Sequence, residues 1–96
     1  MARKKLEKDV EKQVVEYAKA TGWFCTKIVS PGTDAMPDRV FIHSGTHLWA
    51  EMKREGEEAR LKQEYRMNQM RLQGAICFTW DNFKDAKKYL DAYRLL

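Results

Sequence analysis

Two carboxylates and an amine, Asp38, Glu51 and Lys53, stand at spacings that a β-hairpin can turn into one cluster. On a strand, residues two apart project from the same face. Glu51 and Lys53 are then neighbours, while Leu48, Ala50 and Met52 point the other way. A two-residue turn at Ser44-Gly45 sets His43 opposite Thr46 and Asp38 opposite Glu51. Directly opposed residues have Cβ atoms about 4.5–5.5 Å apart. A three-residue loop shifts the pair to a diagonal and still leaves the two acids close. Like charges across a sheet repel. A hard divalent ion such as Mg²⁺ turns that repulsion into a ligand set, completed by water and substrate phosphate. Lys53 beside it could orient a water or neutralise charge developing on phosphorus. The chemistry this suits is metal-assisted phosphodiester hydrolysis. The plainer alternative is a surface Glu51–Lys53 ion pair, with Asp38 merely opening a strand.

These residues need elements to hold them. Leu6, Val10, Val14, Tyr17 and Ala18 fall on one helical face, and Gly22 ends that helix. Residues 23–29, aromatic and β-branched, predict a strand. Residues 30–37 hold two prolines and a glycine and predict a loop. Strands are expected over 38–43 and 46–53. A helix is expected over 59–73, with Leu61, Tyr65 and Leu72 on one face. A buried strand should follow at 75–80, then a last helix capped by Asp81 or Asn82. The order α-β-β-β-α-β-α gives an α/β domain with a mixed sheet.

Composition narrows the class. The chain has 96 residues, with 18 Lys and Arg against 14 Asp and Glu, for a net charge of +4. One domain spanning 1–96 is expected, with a basic arm at about 1–5. A positive balance suits a polyanion partner and equally a solvated surface. The two cysteines, Cys25 and Cys77, are far apart and lack zinc-ligand spacing. No apolar run approaches a membrane span, and the charged N-terminus is no signal peptide. The expected location is the cytoplasm of a bacterium or a phage-infected host.

Asp38, Glu51-x-Lys53 and a glutamate-bearing first helix together resemble the PD-(D/E)xK nuclease superfamily. The VRR-NUC branch is the nearer likeness. It is carried by Lys27, Ser30-Pro31-Gly32, Met36-Pro37-Asp38-Arg39-Val40, Trp49-Ala50-Glu51-Met52-Lys53, Gln63 and Leu72-Gln73-Gly74-Ala75. The resemblance covers about residues 7–79. It implies a restriction-endonuclease-like αβββαβ core followed by a C-terminal helix. It implies cleavage of DNA with Mg²⁺, for which Mn²⁺ would substitute. It implies Asp38 and Glu51 as metal ligands, the Ala50 carbonyl as a third, and Lys53 as base or water-orienting group. Gln63 would face the site. A glutamate of the first helix would complete it: Glu11 is favoured, Glu7 stays open, and Glu16 lies on another face.

A lone domain of this size leaves little room for a sequence-reading module. Branched DNA, above all a four-way junction cut by a homodimer, is the expected substrate. A monomeric flap or nicking nuclease and a catalytically silent DNA-binding subunit are the alternatives. Metal ligands do not report the 2′-hydroxyl, so they do not separate DNA from RNA. Candidate phosphate contacts are Lys4, Lys5, Lys27, Ser30 and Arg54, with Arg3, Lys8, Arg60, Lys62 and Arg66 behind them. Asp34 is expected to be a solvated loop acid. His43 and His47 are expected to be exposed turn residues. Trp23 and Trp80 should be core, and Trp49 should share the Glu51 face. Met67 and Met70 are candidates for core or for an apolar dimer face.

Overall fold

In the computed structural model, which describes residues 6–96, a four-stranded sheet carries helices on both faces. The elements are α1 (Glu7–Ala20), β1 (Phe24–Lys27), β2 (Arg39–His43), β3 (Thr46–Met52), α2 (Leu61–Leu72), β4 (Ile76–Trp80) and α3 (Phe83–Arg94). Strand order is β1-β2-β3-β4. The first three strands are antiparallel, and β4 joins β3 in parallel through the α2 crossover.

Alternation along the strands divides the two layers. Phe41, Leu48, Ala50, Met52 and Trp80 point to one face and pack with Val10, Val14 and Ala18 of α1 and Ala86 and Leu90 of α3. Trp23 joins this core from the end of α1. There Gly22, with φ 92°, takes the left-handed conformation that ends the helix. The Tyr17 hydroxyl donates to Asp91 and so ties α1 to α3. Asn82 caps α3 by accepting the Asp85 N–H at 2.8 Å. The other sheet face lies under α2, whose buried residue is Met67.

The α2 face is the main departure from the sequence pattern. Leu61 and Leu72 are 92% and 84% exposed, and Tyr65 is exposed too. Gln63, Arg66, Met67 and Met70 turn toward the sheet instead. The underlying sheet face presents Glu51, so the helix offers it an amide rather than an apolar stripe. Leu61 and Leu72 predict little: substituting Leu61→Gln should move stability by no more than about 0.5 kcal/mol. By contrast, Met67→Ala should cost about 2–5 kcal/mol in urea denaturation. Comparable losses for the two would place α2 differently on the sheet.

Candidate active site

The β2–β3 turn fixes the register on which the site depends. Ser44 and Gly45 have φ of 47° and 83°, the positive pair of a two-residue hairpin turn. His43 pairs with Thr46 and Arg39 with Ala50. Continued by one step, this register sets Asp38 opposite Glu51. Regular pairing stops there, just after Pro37, which has no N–H to give a ladder. Asp38 is then pinned from both sides. Its carbonyl accepts the Ile28 N–H at 2.8 Å, and its Oδ2 accepts the Met52 N–H at 2.8 Å. The carboxylate thus takes the place of a strand carbonyl.

Glu51 is 3% exposed and Lys53 8%. Glu51 Oε2 accepts from Gln63 Nε2 at 2.8 Å and lies 3.5 Å from Lys53 Nζ. Glu51 Oε1 is buried and has no donor. Its neighbour is the Asp38 carboxylate. Burial first, and then the Asp38 charge, push the Glu51 carboxyl up to about 7, against the pull of Lys53. Two acceptors facing one another in a dry place are satisfied by a proton or by a cation. Gln63 serves two elements, because its Oε1 also accepts the Arg60 N–H at 2.9 Å at the start of α2. The first turn of α2 and the Glu51 carboxylate are therefore held by one amide.

The helix-one acids separate by partner. Arg39 follows Asp38 directly and so points to the opposite face. There its Nε holds Glu11 Oε2 at 2.8 Å, and its guanidinium also approaches Cys25 Sγ at 3.6 Å. Glu11, the favoured acid, is engaged away from Asp38 and Glu51. Glu7, one turn nearer the N-terminus, is the one that feels the site: burial and the Asp38 charge raise its carboxyl, opposed by Lys53. Only a face assignment of Arg39 could have signalled this, since the sequence gives no partner for Glu11. Among the described residues, no three His, Cys, Asp or Glu side chains form a metal-holding group. The donor set is the Asp38–Glu51 pair. Ala50 lies in β3 between Arg39 and Phe78, its side chain in the core.

The candidate phosphate contacts are dispersed. Lys27 is exposed at the end of β1, and Ser30 is half-buried in the loop. Arg54 is exposed and pairs with Glu57 at 2.8 Å. Lys4 and Lys5 lie outside the described residues, as does the arm at 1–5. Asp34 is exposed, as expected of a loop acid, and it is also bridged by Lys62 and by Arg66, which donates to its carbonyl at 3.0 Å. The loop that delivers Asp38 is thereby tied to α2. His43 packs against Trp23, with ring centroids 5.3 Å apart, whereas His47 is exposed.

A buried and a half-buried acid meet at a strand end, with a lysine two residues on and a glutamine reaching in from the next helix. No protein-family model and no curated protein sequence matches the chain. A solved structure described as a VRR_NUC domain superposes with a TM-score of 0.81 and 26% identity, over 91% of this chain and 96% of that one. The fold is that of a VRR-NUC domain. The likeness implies a nuclease-type function and bears out the α/β architecture read from the sequence.

Because the Glu51 carboxyl sits above its unfolded value near 4.5, the folded state retains a proton that the unfolded state gives up. Stability should therefore fall as pH rises from about 4.5 to about 7 and level off above. Glu51→Gln should remove that slope and gain on the order of 1–3 kcal/mol at pH 8, read by urea denaturation across pH. A pH-independent difference between the two proteins would contradict this.

Proposed function

We propose that the chain is a metal-dependent endonuclease that hydrolyses phosphodiester bonds in branched DNA, four-way junctions above all, as a homodimer. The observation that carries it is the donor-less Glu51 Oε1 facing Asp38, beside Lys53 and Gln63. A structural hairpin gains nothing from burying two acids together. A phosphate-cleaving site gains a pair of hard oxygen ligands.

The donor set fits Mg²⁺ or Mn²⁺: two carboxylates, with room for water and phosphate oxygens. Asp38 and Glu51 would hold the ion, which when bound supplies positive charge at the phosphate. The protein's own groups do the rest. Asp38 is fixed by its bond to the Met52 N–H, so its free oxygen has a set direction. Gln63 and Lys53 both hold Glu51 Oε2, which leaves Oε1 buried without a donor in a carboxyl that feels the Asp38 charge. Lys53, itself buried, keeps its ammonium in a dry setting. There it can orient the attacking water or meet charge growing on the phosphate oxygens. Glu7 is the helix-one acid positioned to hold a second water. The net positive charge favours a polyanion, and the two cuts that resolve a junction suit a two-fold pair of sites.

The test is cleavage of a synthetic four-way junction beside a linear duplex of the same sequence. With Mg²⁺ the junction should be cut at symmetric positions, and EDTA should abolish cutting. Lys53→Ala should lower the rate about 10²- to 10⁴-fold. Binding without cleavage in both Mg²⁺ and Mn²⁺ would refute the catalytic reading. Glu7→Gln should slow cleavage at least tenfold. Glu11→Gln should leave the rate within about threefold and instead cost about 1 kcal/mol of stability through the lost Arg39 pair. The reverse pattern would return the role to Glu11.

A further inference from the structure

An open groove of ≈ 580 Å³ runs between the C-terminal half of α2 and the sheet. Its walls include Trp49, Met70 and Leu72, and its rim carries Arg66, Gln69 and Gln73. Trp49 is the half-buried tryptophan of the chain, whereas Trp23 and Trp80 are 3% and 1% exposed. Residues 49 and 51 are two apart on β3, so Trp49 and Glu51 project from one face roughly 6.6 Å apart along the strand. The groove lines none of the acid pair itself, but its Trp49 wall stands next to Glu51 on the same face of β3.

Its chemistry separates it from its neighbours. One other groove is bounded by Glu57, Glu58, Glu64 and Asp81, and another by Asp9 and Glu16 with Lys12. Those carboxylates oppose a polyanion. The Trp49 groove is lined by no carboxylate and by one guanidinium. That guanidinium is fixed in place: Arg66 is held by Asp34 and by Gln69 Oε1 at 2.6 Å. An indole wall offers a stacking surface to any base, and amides at the rim match the donors and acceptors of a base edge.

We infer that this groove receives an unpaired nucleobase of the DNA strand whose phosphate lies at Asp38 and Glu51. The inference rests on the nuclease reading and deepens it. A base held in a duplex stack cannot reach an indole on a sheet face, but a base at a branch or flap is already free to do so. Selection for branched DNA then follows from the base that a branch leaves unpaired.

The experiment is intrinsic tryptophan fluorescence of the intact protein in EDTA, titrated with three DNAs: a duplex, a branch with an unpaired base, and that branch with the base removed to leave an abasic site. Quenching by the second alone is expected. Trp49→Ala should weaken binding of the unpaired-base DNA roughly 5- to 150-fold and that of the duplex less than twofold. Trp49→Phe should retain most of the affinity. The abasic comparison uses the wild-type chain, and Gln73→Ala alters an exposed position, so the test does not depend on Trp49→Ala folding. Equal quenching by all three DNAs, or none in a protein that still cuts junctions, overturns the base site alone. A Trp49→Ala protein that turns from dimer to monomer in sedimentation, with its DNA preference intact, overturns it in favour of a contact between copies. A protein that neither binds nor cuts DNA overturns both this inference and the nuclease reading.

Discussion

The structure is organised around an unfavourable contact: two carboxylates, Asp38 and Glu51, brought together where water is scarce. Left to itself, this pair would push the hairpin apart. Four groups prevent it. The Met52 N–H takes one Asp38 oxygen, Gln63 and Lys53 share one Glu51 oxygen, and the Ile28 N–H anchors the Asp38 backbone. Met52 and Lys53 come from the end of β3, Gln63 from α2 and Ile28 from just past β1, so all three regions support the pair.

That arrangement explains why α2 is so poor a helix by hydrophobic patterning. A helix over a charged strand face must supply an amide at Gln63 before it supplies grease. Only Met67 of its residues is buried. Its grip comes from polar ties, Gln63 to Glu51 and Arg66 to Asp34. By contrast, α1 and α3 cover the apolar face and carry the ordinary stripes at Val10, Val14, Ala18, Ala86 and Leu90.

The sequence made the hairpin legible because its turn chemistry is local. Ser44-Gly45 decides the register, and strand alternation does the rest. The element order was legible for the same reason. The direction of α2 was not, because a helical stripe of Leu61, Tyr65 and Leu72 looks like a core whether or not one lies beneath it. The partner of Glu11 was not legible either. Glu7 and Glu11 share a helix face, and the long-range Arg39 pair that engages Glu11 is one that no spacing along α1 records. The exposure of Asp34 was legible, but its partners, Lys62 and Arg66, were not, because they come from an element that follows much later in the chain.

Asp38, Glu51 and Lys53 all lie on a single uninterrupted hairpin and its flanks. The three charged groups are therefore brought together by one local turn, while Gln63 and Ile28 reach them from elsewhere in the chain. Elsewhere, an exposed helix face or a loop can drift freely so long as it still supplies an amide and a tether. A relative can then keep the same backbone at 26% identity. For such a domain, the turn at Ser44-Gly45 does most to decide whether the two acids meet at all.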